Sequence, residues 1–207
     1  MNDNATSSAG RWNVRSFGAV GDGTTKDTAA LQAALDAASA AGGGTVLVPP
    51  GLYVTGTLYL RSRVRLHVQA GATLRASADR ADYNAADVFP ENQVFVSESV
   101  TGAHLLIAYR LDDVVITGGG TIDGNSAAFL GPIPEGVDPT DYRTKQPKCG
   151  RGDWRPGQMV YVCRCRRVAV RDVSLLNAPY WTLFLFGCED VTVRGVTIRN
   201  PAPTPNG

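Results

Sequence analysis

Arginine is the residue type in this chain with the greatest capacity for binding chemistry. Of the 20 basic residues, 17 are Arg and 3 are Lys. A guanidinium group presents planar pairs of N–H donors that match a carboxylate bidentately. Arg155 and the pair Arg171 and Arg194 are therefore candidates for contacting an anionic ligand. Simpler explanations stay open: a bias in composition, an ion pair of Arg155 with Asp153, or neutralisation of the other two arginines by neighbouring acids.

Arg171 and Arg194 occupy equivalent positions in a repeat of 23 residues. The other matched pairs are Val168/Val191, Val170/Val193, Val173/Val196, Leu175/Ile198 and Asn177/Asn200. A fixed period in this range, with β-branched residues at alternate positions and no helix between the copies, is typical of a stacked-coil solenoid. We therefore predict an all-β solenoid, a single-stranded parallel β-helix whose equivalent side chains stack about 4.8 Å apart. The crossover rule favours right-handed winding.

The segment before the repeat predicts one helix. Residues 1–10 are polar and are expected to form a disordered tail, and residues 11–207 a single domain. Apolar residues at helical spacing predict a helix over about 27–41, with Asp27 or Thr28 as its cap. We expect this helix to cover the open end of the first coil, which would otherwise expose strand edges.

Strands and two long loops follow the helix. Leu58–Val68 alternates apolar and polar residues, which indicates strands wrapped around a core with arginines and His67 facing solvent. Polar, irregular stretches over about 77–103 and 126–156 predict long loops on one side of the solenoid.

Two further motifs are predicted to be structural. The glycines of Gly18-x-x-Gly21-x-Gly23 fit neither dinucleotide nor phosphate-loop spacing, so a turn is favoured. The cysteines lack zinc-ligand spacing, and we expect a buried thiol ladder rather than a disulfide at Cys165 and Cys188. No metal or other cofactor is expected.

Composition excludes several classes of partner. A net charge of +1 argues against a nucleic-acid surface built on bulk charge, and no apolar run reaches the length of a membrane span. No obligate protein partner is inferred. The first residues lack the features of a secretory signal, so cytoplasmic localisation is expected, with a secreted or periplasmic location as the alternative.

Three motifs resemble one family. Residues 17–23 look like the entry segment of pectin-degrading β-helices, and residues 114–125 look like a corner motif of the polygalacturonase-like enzymes. Arg155-Pro156 and residues 177–183 are similar to the "R-P … N-S-P-x-W-T" run of the same family, the family-28 glycoside hydrolases. The resemblance covers about residues 12–207. It implies hydrolysis of α-1,4-linked galacturonate in pectin, with a pectic polysaccharide or oligogalacturonide as the partner.

The family pattern also implies which catalytic groups are outside this chain. Inverting hydrolysis uses two carboxyl groups about 6.5–9.5 Å apart. The family carries them in an N-x-D-G-x-D strand, followed one rung on by a D-D pair and then by a G-H-G turn. Asn206 looks like the first residue of that strand, so we expect the aspartates to follow Gly207. The solenoid is accordingly expected to be truncated, and the 207-residue chain alone to be inactive.

The resemblance places further residues on the rungs beneath the missing aspartates. In the family the first aspartate precedes the cysteine of its own coil by seven residues. Counting back seven residues from Cys188 and Cys165 puts Trp181 and Gln158 on the rungs below the first aspartate. Phe184 and Tyr161, three residues further along, then lie below the second aspartate. Trp181, Tyr161 and Gln158 are thus candidates for the floor of a sugar-binding cleft, although a core position is an open alternative for Trp181 and Phe184. The rival class is a non-catalytic carbohydrate-binding or structural β-helix.

Overall fold

The computed structural model describes residues 10–84, 102–130 and 154–200. Within these ranges, one α-helix, α1 (Thr28–Ala40), accompanies a long series of short strands. In chain order the strands are β1 (Arg11–Asn13), β2 (Asp22–Lys26), β3 (Gly44–Val48), β4 (Gly51–Thr55), β5 (Leu58–Tyr59), β6 (Val64–Val68), β7 (Ala72–Ala76), β8 (Leu106–Tyr109), β9 (Asp112–Thr117), β10 (Thr121–Asp123), β11 (Val160–Cys163), β12 (Arg166–Arg171), β13 (Ser174–Leu176), β14 (Leu183–Phe186), β15 (Glu189–Arg194) and β16 (Thr197–Arg199). Short 3-10 turns lie at Val14–Phe17, Arg80–Asp82 and Ser126–Ala128. The predicted tail and most of the two predicted loops fall outside the described residues.

The strands form three sheets, and each coil of the chain contributes at most one strand to each sheet. The first sheet has the order β1-β3-β6-β9-β12-β15, the second β2-β4-β7-β10-β13-β16, and the third β5-β8-β11-β14. Neighbouring strands pair in parallel in all three sheets. Because strands adjacent in a sheet come from successive coils, the architecture is the parallel β-helix that the repeat predicts.

In the last coils, residues that pair between neighbouring strands lie 23 positions apart in the sequence. Val168 pairs with Val191, and Arg171 pairs with Arg194, between β12 and β15. In the third sheet Tyr161 pairs with Phe184. The repeat in the sequence is therefore one full turn of the solenoid, and the predicted stacking of equivalent side chains is confirmed.

The core lies inside the three sheets. Val64, Leu66 and Val68 are buried, whereas Arg65 between them is exposed and His67 is half-buried. This is the alternation predicted from period two, since successive side chains of a strand point to opposite faces. A single large apolar cluster runs from α1 through every coil to Leu175.

Helix α1 packs against the first coils, but Asp27 does not cap it as predicted. Asp27 occupies the N-cap position without a side-chain bond to the helix. Its buried carboxylate instead accepts hydrogen bonds from the backbone N–H of Val20 and Gly21, at 2.7 and 3.0 Å. The glycine-rich turn thus competes for the carboxylate, because its two N–H groups would otherwise be left without an acceptor. Gly21 must be glycine, since it has φ 68° and a Cβ would lie 2.7 Å from the Tyr53 ring.

One corner of the solenoid carries a ladder of alternating charge. Equivalent positions with positive φ are occupied by Arg63, immediately before β6, and by the second residues of β9, β12 and β15, which are Asp113, Arg167 and Asp190. Arg167 binds the Asp113 carboxylate with Nε and Nη2, at 2.6 and 2.9 Å. This bidentate pair holds the pKa of Asp113 below its usual value. Left-handed backbone at non-glycine residues is unusual, so the ladder marks the corner where each coil enters the first sheet.

The cysteine side chains are thiols, as expected. Cys163 and Cys165 are buried and Cys188 is half-buried, and none of the three forms a disulfide bond. Burial raises the pKa of Cys165 to about 11, which keeps it a protonated, inert group. Cys149 lies outside the described residues.

Candidate active site on the third sheet

Aromatic side chains cover the outer face of the third sheet. Tyr161 on β11 and Phe184 on β14 stack with their ring centroids 5.3 Å apart, and Ile107 lies on the rung below. These residues form an apolar cluster that is separate from the main core, with Tyr59 packed against it. We call this surface, together with Trp181, the aromatic face.

Two columns of side chains run along the third sheet. The first contains Ile107, Tyr161 and Phe184, and the second contains His104, Gln158 and Trp181, each two residues before its strand. Met159 N–H donates to the Trp181 carbonyl at 2.8 Å, which sets Trp181 one rung above Gln158. His104 lies one rung lower, with its Nδ1 2.9 Å from the Gln158 carbonyl. The predicted rung positions of Trp181 and Gln158 relative to each other are therefore those of the structure.

The two columns are joined by ring contacts. His104 stacks on Tyr161 at 4.4 Å, and Trp181 lies 5.6 Å from Phe184 and 5.2 Å from Tyr180. Aromatic pairs at these separations add roughly 0.5–1.5 kcal/mol beyond the burial of their area. The aromatic face is thus a rigid, continuous platform.

Exposure divides the predicted floor residues into two pairs. Tyr161 and Gln158 are each only 1% exposed. Trp181 and Phe184, on the rung above, are half-buried. The structure therefore places the upper pair at the surface and the lower pair beneath it, and contact of any of the four with a sugar stays a prediction.

Gln158 carries a buried side-chain amide with unused hydrogen-bonding capacity. Neither its Nε2 nor its Oε1 finds a hydrogen-bond partner within the described part of the chain. An unsatisfied buried polar group costs about 1–3 kcal/mol. Such a group is a candidate for hydrogen bonding to a ligand hydroxyl.

His104 is a site residue that the sequence did not reveal. It is fully buried, and burial lowers its pKa to about 4. The ring is therefore neutral near pH 7, with Nδ1 donating to the Gln158 carbonyl because a carbonyl oxygen only accepts. His104 and Gln158 are 54 residues apart, since a long loop separates their coils, so the 23-residue period gave no signal of their contact.

Arg155 is docked against the turn that carries Trp181. Its Nη1 donates to the Pro179 carbonyl at 3.0 Å, and its guanidinium lies 4.9 Å from the Tyr180 ring centroid. These contacts position Tyr180 and therefore the tryptophan stacked on it. Asp153, the other partner considered for Arg155, and Asn206 lie outside the described residues. Binding of a substrate carboxylate by Arg155 stays a prediction.

Asparagines tie this turn to neighbouring coils. Asn177 donates from Nδ2 to Asp123, and the side chain of Asn200 accepts from Ala178 N–H and donates to the Thr182 hydroxyl, at 2.8–2.9 Å. These bonds give both asparagines a structural role at the turn. Asp123 likewise accepts from the backbone N–H of Asn125, as expected of a corner residue.

No acidic side chain stands on the described strands of the third sheet. Two adjacent aspartates, Asp112 and Asp113, do occur in the chain, but they lie at the start of β9 in the first sheet. There they are paired with Arg166 and Arg167. They therefore do not supply the carboxylate pair of the family pattern on the aromatic face.

Other kinds of site find no support within the described ranges. Groups of three or more His, Cys, Asp or Glu side chains able to hold a metal ion do not occur there. The helix found in these ranges, α1, has 13 residues, fewer than a membrane-spanning helix needs.

Comparisons with known proteins agree with the fold and with the motifs. The family model described as "Rhamnogalacturonase A/epimerase, pectate lyase-like" matches residues 11–107. A probable polygalacturonase of Vitis vinifera is 27% identical over 92% of this chain and 37% of its own length. An exo-poly-alpha-D-galacturonosidase of Dickeya chrysanthemi is 38% identical over 55% of this chain and 19% of its own length.

A solved structure gives the same picture. The hyperthermoactive exopolygalacturonase of Thermotoga maritima superposes with a TM-score of 0.70 and 26% identity, covering 96% of this chain and 48% of that one. The chain thus spans under half the length of these relatives. Motifs, fold and sequence similarity together support a polygalacturonase-like assignment, since the chain is similar to polygalacturonases and to a pectate-lyase-like family model.

Proposed function

We propose that this chain builds part of an inverting hydrolase of α-1,4-linked galacturonate. The observation that carries the proposal is the register of the aromatic face. Trp181 and Phe184 stand directly above Gln158 and Tyr161, and the same two columns, extended by one rung, are where the family pattern has its two aspartates. A β-helix fixes the spacing of such groups by its rungs, without help from loops.

In this proposal the chain's own residues bind and orient the sugar. Trp181 and Phe184 offer ring faces to a pyranose ring at the surface. The unused amide of Gln158 lies one rung deeper, where it would accept from or donate to a sugar hydroxyl. Arg155 holds the tryptophan turn in place through Pro179 and Tyr180. The general acid and general base would come from aspartates after Gly207.

The proposal includes two features of the solenoid. We infer that α1 caps the amino-terminal end, which its packing against β1, β3 and β5 supports. We also infer right-handed winding from the crossover rule.

The alternative function is a non-catalytic carbohydrate-binding or structural β-helix. It needs no carboxylate on the aromatic face, and the described strands of the third sheet carry none. The two functions differ in turnover but share the aromatic face, so binding and hydrolysis must be measured separately.

The test is an assay of reducing ends released from polygalacturonate, run beside a binding titration with trigalacturonate. The 207-residue chain is expected to bind and to release nothing. Trp181→Ala is expected to weaken binding roughly fivefold, from the loss of one aromatic contact, and Trp181→Phe to restore most of it.

Two results would contradict the proposal. Reducing ends released by the purified chain, and lost in Trp181→Ala, would mean that the acid pair lies within these residues. Binding by the full-length native gene product without any hydrolysis would favour the alternative function.

A further inference from the structure

We propose that the outer face of the first sheet is a second binding surface, separate from the aromatic face, and that it binds the carboxylates of an acidic oligosaccharide. We call it the basic face and define it by Arg11, Arg65, His67, Arg171 and Arg194. This inference goes beyond the proposed function, because it requires neither the aromatic face nor hydrolysis.

The backbone places these cations on one surface. Arg11 pairs with Thr45, which in turn pairs with Arg65, so the two arginines stand two rungs apart, roughly 10 Å. His67 follows Arg65 on the same face of β6. Arg65 is exposed, whereas its neighbours Val64 and Leu66 point into the core.

A groove lies beside these residues. It has a volume of about 290 Å³ and is lined by Thr45, Arg63, Arg65, Asp113 and Val115, among others. Two of the lining residues are arginines, and one, Asp113, is acidic. A space of this size is near the lower end of small-ligand pockets and fits about one sugar unit.

The groove is cationic because its acidic residue is already paired. Asp113 is bound bidentately by Arg167, which comes from the coil above. Among the described residues, neither Arg11 nor Arg65 forms an ion pair. Arg63 donates Nε to the Gly42 carbonyl and has no carboxylate bound in the same ranges.

Two more arginines extend the face along the solenoid axis. Arg171 pairs with Arg194 on adjacent rungs, so like charges lie directly beside each other. Both side chains are exposed, and within the described ranges neither forms an ion pair. Like charges directly opposite on neighbouring strands are destabilising, and an anionic ligand would relieve that repulsion.

The pKa of His67 supports the positive character of the face. Burial is the largest cause that lowers the pKa of His67, and the positive charges of Arg65 and Arg11 lower it further. A carboxylate bound between these groups would act in the opposite direction.

The chemistry of the face selects the class of ligand. Guanidinium groups match planar carboxylates bidentately. Cations on the first, third, fifth and sixth strands of the sheet suit a chain that repeats a carboxylate along its length. The outward residues of β1, β3, β6, β9, β12 and β15 include no Phe, Tyr or Trp ring on which a base could stack. The net charge of the chain is only +1, which also disfavours a nucleic acid. A uronate oligosaccharide is the ligand that fits these observations.

The test is a titration of the full chain with trigalacturonate at low ionic strength, followed by NMR of the His67 ring and by calorimetry. The double variant Arg11→Gln/Arg65→Gln is compared with Arg75→Gln/Arg199→Gln. The control pair removes the same charge from the outer face of the second sheet. The fully methyl-esterified trimer and a single-stranded DNA oligonucleotide serve as ligand controls.

The expected result is a shift of the His67 ring signals on addition of trigalacturonate. The apparent affinity for trigalacturonate measured from this shift should fall roughly fivefold or more in Arg11→Gln/Arg65→Gln. It should change little in the control pair or in Trp181→Ala. The methyl ester should not produce it. This outcome would stand whether or not the chain, or any longer product, hydrolyses pectin.

Several results would overturn the inference. An unmoved His67 signal would mean that the face does not bind the trimer. Equal weakening in both double variants would indicate bulk charge rather than a site. Loss of the His67 shift in Trp181→Ala would indicate a single site on the aromatic face, and tighter binding of the DNA would identify a nucleic-acid surface instead.

Discussion

The outer faces of the first and third sheets are built from the same repeat but have opposite chemistry. The third sheet presents stacked aromatic rings, and one of them, Tyr161, is only 1% exposed. The first sheet presents arginines, and Arg65, Arg171 and Arg194 are all exposed. In a β-helix, strand positions recur from coil to coil, so a residue type placed at equivalent positions of several coils forms one surface. Two independent binding surfaces can therefore be encoded on one small core.

The largest expected difference between the faces is in stability. Tyr161→Ala should destabilise the fold by roughly 3–5 kcal/mol, as for other buried aromatic side chains, because it leaves a cavity between His104 and Phe184. Arg171→Ala on the basic face should change stability by no more than about 0.5 kcal/mol. Urea unfolding of both variants measures this. A Tyr161→Ala effect as small as that of Arg171→Ala would mean that the aromatic face is not packed as described.

A pH titration sharpens the comparison through His104. Its pKa in the folded chain is about 4, below its ordinary value of 6.5. Above pH 6.5 both folded and unfolded chains hold it neutral. As the pH falls towards 4, only the unfolded chain takes up the proton, so stability is lost, by up to roughly 3 kcal/mol.

The matched control for this titration is His104→Asn. Its Nδ2–H can take the place of the imidazole Nδ1–H that bonds the Gln158 carbonyl, but the side chain does not titrate. The difference in unfolding free energy between the two proteins should therefore shrink or reverse between pH 7 and pH 4. Parallel curves over that interval would contradict a buried, neutral His104.

The smallest expected effect concerns the arginine pair of the basic face. Arg194→Gln removes the repulsion with Arg171 and should stabilise the chain slightly, within about 0.5 kcal/mol. Added salt should reduce the difference from the parent chain, because exposed charges are screened. Thermal unfolding at low and high salt measures it. Destabilisation by Arg194→Gln would mean that this arginine has a favourable contact that outweighs the repulsion.

The sequence predicted most of the fold because the repeat encodes it directly. The pairs Val168/Val191 and Arg171/Arg194 are strand partners at the offset read from the residues alone. Period two located the core face of Leu58–Val68 in the same way. The cap of α1 was not predictable from propensity, which favours Asp27 as a cap, because the preceding glycine-rich turn brings the backbone N–H groups of Val20 and Gly21 to its carboxylate.

The candidate site was predicted only where the period holds. Gln158, Tyr161, Trp181 and Phe184 were placed on the correct rungs relative to one another. Their exposure was not, because burial depends on what lies over the face and not on register. His104 was missed because a long loop shifts its coil out of the period.

The most direct test of the central claim is fluorescence of a chain in which Trp181 is the sole tryptophan, with Trp12 and Trp154 replaced by Phe. Titration with trigalacturonate should change the emission of Trp181 in a saturable way. The change should persist in Arg11→Gln/Arg65→Gln, since the basic face is separate. No change in emission at saturating trigalacturonate would contradict the assignment of the aromatic face as a sugar-binding surface.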